Sequence, residues 1–246
     1  MNRRTNWQST HYRLELFSES LDPAFVDTVH RKVCRTTFDQ PGFCLIDLGR
    51  EISSARQRAT MVELMRALST LERDSTGRRL AYQSATRFDQ QGTTKLHRDG
   101  GPDECFLMLG YEPTSVPSEV ALADSALCAA DLGITETELL EQHNPMFHEG
   151  EELLHPYTTR VDAFDRTAFQ ILLINNSMTG PGHDGRPAWK GVLHTATILN
   201  PDPSASRVIN SSLIVSLPEG APEPFSAADL NEFLTTAPVL RRGYPS

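Results

Sequence analysis

From residue 80 onward the chain changes texture: short β-prone stretches follow one another, each closed by Gly, Pro, Asn or Asp. The candidates are 80–88, 95–99, 104–110, 169–175, 191–198 and 206–217. Strands this short and this regularly punctuated bury their apolar faces in a sandwich or a jelly roll. Before residue 80 the pattern is helical. Asp22-Pro23 opens a helix, with Asp as N-cap and Pro at the first position, and Phe25, Val29 and Val33 form its apolar stripe. Asp39 to Gly42 is a turn and Phe43 to Ile46 a buried strand. Met61, Leu64, Met65, Leu68 and Leu71 keep helical spacing, which predicts a helix over 55–72.

Helices near 118–130 and 135–143 are expected to interrupt the strands. Ser226 and Asp229 form a capping box, with Phe225 and Leu230 at the staple positions, so a short closing helix is expected before a frayed tail from Arg241. The chain is therefore expected to be mainly β with α support. One domain covers 1–246, divided into a helical support with one strand (1–79), a barrel-like core (80–217) with a helical insertion at about 115–145, and a C-terminal helix and tail (218–246). A length of 246 residues is within the ~200–250 that single barrels reach.

Several classes are excluded. The longest apolar run is Ala126 to Ala130, far short of the ~20 residues of a membrane span. Arg3 and Arg4 are followed by polar residues where a signal peptide needs an apolar stretch. A soluble, cytoplasmic protein is expected. Cys34, Cys44, Cys105 and Cys128 form no C-x-x-C pair and read as free, packed thiols, so cysteine-bound zinc is not expected. A net charge of -9 repels phosphate backbones, and no Lys/Arg stripe offsets it. The expected partner is a small molecule, an amino acid or a peptide, not nucleic acid or a membrane.

The segment from Arg87 to Gly101 carries the first candidate chemistry. His97 and Asp99 are two apart, so a strand places both on one face with Arg98 on the other. An imidazole and a carboxylate side by side are two ligands of a facial triad that leaves open positions on iron(II). His194 is the candidate third ligand, in a β-prone stretch where Val192, Ala196 and Ile198 share its face. A lone histidine on such a face is ordinarily a hydrogen-bonded core residue, but here the interior needs a third ligand. His183 is the rival, in a Gly/Pro-rich loop that holds a ligand less rigidly. Arg207 follows on the next strand, on a face with Ile209, Ser211, Leu213 and Val215. A guanidinium on an apolar face wants an anion, and it grips a carboxylate with two parallel hydrogen bonds.

With these residues in order, the chain resembles the iron(II)/2-oxoglutarate-dependent dioxygenases, and the lead-in from Arg87 to Asp99 is similar to that of prolyl-hydroxylase-like members. The resemblance spans roughly residues 80–217. It implies a double-stranded β-helix (jelly roll), with His97, Asp99 and His194 as metal ligands and Arg207 holding the far carboxylate of 2-oxoglutarate. It also implies that dioxygen is consumed, that 2-oxoglutarate is decarboxylated to succinate, and that the substrate is hydroxylated. Asp99 favours hydroxylation over halogenation, because family halogenases lack this carboxylate. Phe88 stands where many members have a tyrosine that touches 2-oxoglutarate, so Gln83, Thr94 or Thr197 is expected to supply that polar contact. Ser211 is expected to stand in for the serine of the family's Arg-x-Ser, since Ile209 occupies the +2 position. The alternative is a non-catalytic, or 2-oxoglutarate-independent, metal-binding cupin-like barrel. Loop 176–190 is a lid candidate, and the acidic run His148 to His155 reads as a solvated face.

Overall fold

The structure, a computed structural model, describes residues 6–16, 20–178 and 185–241. A short helix α1 (Ser9–Tyr12) leads into strand β1 (Arg13–Glu15). Helix α2 (Pro23–Val33) begins as expected: the Asp22 carboxylate accepts from the Ala24 N–H, and Pro23 occupies the first turn. After strand β2 (Phe43–Asp47), helix α3 (Ser54–Thr76) is capped by Ser53 and stopped by Gly77, whose φ of 70° is the left-handed conformation glycine adopts without strain. Strands β3 (Arg78–Asp89), β4 (Cys105–Tyr111) and β5 (Ser118–Ala123) follow. Next come helices α4 (Ser125–Leu132), α5 (Glu136–Gln142) and α6 (His148–Leu154). The chain then forms β6 (Thr158–Arg160), β7 (Gln170–Asn175), β8 (Leu193–Ile198) and β9 (Val208–Pro218). Helix α7 (Ala227–Thr235) has the expected capping box, and β10 (Leu240–Arg241) ends the described chain.

The strands form two sheets. The larger has the order β1-β2-β7-β4-β9-β3-β10 and the smaller β6-β5-β8. Pairing is antiparallel except at the two edges of the large sheet, where β1 joins β2 and β10 joins β3 in parallel. β4 and β7 are buried along their whole length, which is why they read as unbroken apolar runs rather than alternating ones. Alternation still sorts their side chains. Phe106, Met108, Ile171 and Leu173 pack with Met61, Leu64 and Leu68 of α3. Leu107, Leu109, Leu172 and Ile174 pack with Val120 and Leu122 of β5 and with Val161, just after β6. Burial of each such side chain contributes about 1.5–3 kcal/mol. The fold is thus mixed α/β, with helices on one face of the large sheet and the small sheet on the other. The two sheets do not close into one hydrogen-bonded barrel among the described residues.

The expectations differ from the structure in several places. The helix expected over 118–130 is strand β5 followed by α4. Its Glu, Ala and Leu favour a helix locally, but pairing with both β8 and β6 overrides that preference. The insertion at 115–145 is therefore helical only after Asp124, whose carboxylate caps α4. The strand expected over 95–99 is a single bridge, His97 to His194. Finally, α1, β1, α6, β6 and β10 were not foreseen: the segment 1–79 carries two strands, β1 and β2, rather than one, and Arg241 pairs with β3 rather than starting a frayed tail, whose remaining residues lie outside those described. The acidic residues of α6 do lie in solvent, with Leu154 buried. No helix among the described residues is long and apolar enough to cross a membrane.

Candidate metal centre

β8 is fixed before it begins. The Arg35 guanidinium, fully buried, binds Asp124 through two hydrogen bonds of 2.7 and 2.6 Å and donates to the Lys190 carbonyl at 3.0 Å. The Val192 N–H donates to the Asn175 carbonyl at 2.9 Å. Gly191 is required here, because a Cβ would stand 2.1 Å from the Ser177 carbonyl oxygen. With this entry fixed, His194 and Ala196 face the space between the sheets and Leu193 faces away.

The segment carrying His97 lies along the free edge of β8. His97 and His194 exchange backbone hydrogen bonds of 3.0 and 2.9 Å. Beyond that bridge, threonine hydroxyls do the work of backbone carbonyls: Thr94 Oγ1 accepts from the Ala196 N–H and Thr93 Oγ1 from the Ile198 N–H. This substitution is why the segment is not a regular strand. Leu96 and Leu193 point outward into a cluster with Ala123, Cys128, Leu139 and Leu154, so the helical insertion backs the two histidine-bearing segments.

His97, Asp99 and His194 converge, with one donor atom of each within 4.8 Å of the others. The His97 Nδ1–H donates to the Lys95 carbonyl at 2.7 Å, leaving Nε2 to face Asp99 Oδ1 at 3.4 Å. An imidazole lone pair and a carboxylate oxygen at that distance are reconciled only by a cation. A proton does so, and the hydrogen bond to Asp99 accordingly raises the His97 pKa, against its partial burial. A metal ion does so equally: two ligand atoms about 2.0–2.2 Å from one ion at right angles stand about 3 Å apart. Burial pushes the His194 pKa down to about 4, helped by the neighbouring His97, so the ring is a neutral donor at pH 7. Its Nδ1 is buried without a hydrogen-bond partner. A neutral imidazole, a second imidazole with its tautomer fixed, and a carboxylate fit a first-row divalent metal.

A cavity of about 120 Å³ joins these ligands to Arg207. Arg207 is 1% exposed and immediately precedes β9. Its Nε donates to Ser118 Oγ at 3.0 Å and its Nη1 to the Gln90 carbonyl at 3.3 Å, and its guanidinium lies over the Tyr111 ring, 5.1 Å from the centroid. Nη2 is buried and has no partner. No carboxylate among the described residues forms an ion pair with the guanidinium, and an uncompensated buried charge costs several kcal/mol. Tyr111 offsets about 1–2 kcal/mol of that. The site therefore has room for an anion. Phe88, Leu109 and Ile209 give the cavity apolar walls.

Thr94 and Ser211 line the cavity as expected. Gln83 and Thr197 do not: both are exposed, Gln83 at the irregularity of β3 beside Tyr82 and Thr197 on the outer face of β8, opposite in phase to His194. Tyr111, Gln90 and Ser118 were missed. Tyr111 ends an apolar run and reads as core; the signal that distinguishes it is that the large sheet pairs it with Ile209, two residues from Arg207. His183 and the stretch 179–184 of loop 176–190 lie outside the described residues. The chain matches no known family model, and no curated protein is significantly similar to it.

Proposed function

We propose that this chain is an iron(II)- and 2-oxoglutarate-dependent oxygenase that hydroxylates a small molecule or an amino-acid or peptide side chain. The observation that carries this reading is Arg207: a buried guanidinium with one unpartnered nitrogen, lining the same small cavity as a two-histidine, one-carboxylate cluster. The connectivity supports it as well. From β3 the chain passes to the His97 segment of the small sheet and back to β4. It then forms β5 and β6 of the small sheet, β7 of the large, β8 of the small and β9 of the large. Interleaving of this kind is what a double-stranded β-helix requires, with β1, β2 and β10 extending its larger sheet.

His97, Asp99 and His194 would hold the iron. Bound there with 2-oxoglutarate and dioxygen, the metal would supply an oxidative decarboxylation coupled to hydroxylation of a C–H bond. The rest is this chain's own doing. Arg207, oriented by Ser118 and the Gln90 carbonyl, takes the far carboxylate of the cosubstrate. Tyr111 under the guanidinium, with Thr94 and Ser211, supplies the polar contacts that Phe88 cannot. Phe88, Leu109 and Ile209 exclude water along the cosubstrate's methylene groups. The cavity is small, about 120 Å³, so a larger substrate would lie outside it, over the His97 and Asp99 side chains, which are 32% and 45% exposed.

Anaerobic addition of iron(II) and then 2-oxoglutarate tests the reading. The visible charge-transfer band of a chelated keto acid is expected in the natural protein and not in His194→Ala. A natural protein that binds iron(II) but develops no band would contradict the cosubstrate assignment. One that binds no iron would contradict the metal as well.

A further inference from the structure

Asp99 is a ligand candidate without a strand to hold it: among the described residues its segment makes one β-bridge, at His97, and one further backbone bond, from the Thr94 N–H to the Ala196 carbonyl, and neither reaches Asp99. The side chain of Asn176 holds its backbone instead. The Asp99 N–H donates to Asn176 Oδ1 at 3.0 Å, and Asn176 Nδ2 donates to the Asp99 carbonyl at 2.9 Å. Asn176 thus satisfies both backbone polar groups of Asp99, as a neighbouring strand would. It is 1% exposed, whereas the Asp99 side chain is 45% exposed.

Asn176 is itself fixed. It belongs to a run of three buried polar residues, Asn175, Asn176 and Ser177, that begins on the last residue of β7. The Asn176 N–H donates to the Cys105 carbonyl at 3.0 Å, and the Ser177 hydroxyl donates to the same carbonyl at 3.0 Å. Asn175 binds the Val33 carbonyl through Nδ2, and its own carbonyl accepts from Val192, two residues before His194. One short segment therefore sets the carboxylate on one side and the entry to the distal histidine on the other.

We propose that Asn176 is a positioning residue for the metal site: its side-chain amide places Asp99 on the ion, and so sets metal affinity through Asp99 alone. This rests on the reading of His97, Asp99 and His194 as metal ligands. Groups that orient a ligand typically carry about 10–100-fold in affinity.

A double-mutant cycle on cobalt(II) binding, followed by the metal's visible bands, tests it. Asn176→Ala is expected to weaken cobalt about 10–100-fold in the natural background. In the Asp99→Ala background the same change should alter affinity by less than about twofold, because its target is gone. A merely structural asparagine would cost the same in both backgrounds. Asn176→Asp keeps the size and the acceptor but loses the donor to the Asp99 carbonyl. It is expected to show the same non-additivity, and it replaces the alanine variant if that one does not fold. Unchanged affinity in both variants, or equal losses with and without Asp99, would overturn the assignment of Asn176. Failure of the natural protein to bind cobalt(II) would instead overturn the metal site itself, and the positioning role with it.

Discussion

The rings of His97 and His194 are 4.2 Å apart, yet their pKa values move in opposite directions. Hydrogen bonding to Asp99 raises that of His97 above its ordinary 6.5, whereas burial takes that of His194 to about 4. A metal must displace a proton from His97 and none from His194 near neutrality. Metal affinity should therefore decline as pH falls through the raised pKa of His97, beginning above 6.5, and decline more steeply only near 4. Cobalt(II) titrations across that range check this, and a flat affinity between about pH 7 and pH 5 would contradict it. The grouping of these residues was legible in the sequence: His97, Asp99, His194 and Arg207 all line one cavity. The phase of Thr197 was also readable there and was overlooked; what the sequence could not show was pairing. Thr197 differs from His194 by an odd number of residues and so faces out, while Tyr111 enters through a strand partner more than ninety positions away.

Elements far from the ligands hold the site through buried polar ties. Arg35 and Asp124 join the end of α2, the start of α4 and the approach to β8. Removing either partner strands the other charge, so Arg35→Ala should cost about 3–5 kcal/mol in urea unfolding. A change under about 1 kcal/mol would mean the pair is not intact in solution. Gly191→Ala should shift β8 through its collision with Ser177, weakening metal binding more than a substitution at the exposed Gly100 does. Equal affinities for the two variants would contradict the close approach. At this scale the helices were legible because their caps are local: Asp22, Ser226 and Asp229 act within a single turn. β5 was not, because its conformation is decided by β6 and β8, which lie elsewhere in the chain.

For the whole molecule, a buried carboxylate ties the two long helices to each other and to the segment that leads into β8. Glu72 of α3 accepts from His30 of α2 at 2.9 Å and from Thr76 at 3.0 Å, with Arg186 at 3.9 Å. Burial alone would raise its pKa, but these partners outweigh that and hold it below 4.5. A carboxyl depressed in the folded state stabilises fully above its unfolded pKa and loses that contribution as pH falls. Unfolding midpoints should drop below about pH 4.5, and Glu72→Gln should flatten the drop. An identical acid limb in the variant would assign the loss to other groups. The broad order of helices before strands was legible from periodicity, whereas the division into two sheets depends on pairings between distant segments that no local pattern records. The claim that joins fold to chemistry is that Arg207 and the metal ligands serve one cosubstrate. The most direct measurement is a titration of the anaerobic iron(II) protein with 2-oxoglutarate, read at the charge-transfer band, for the natural protein, Arg207→Lys and Arg207→Ala. Iron binding should survive in all three. Arg207→Ala should weaken 2-oxoglutarate by about 2–5 kcal/mol, and Arg207→Lys should recover part of it, because an ammonium lacks the planar fork. An Arg207→Ala titration superimposable on that of the natural protein would contradict the account.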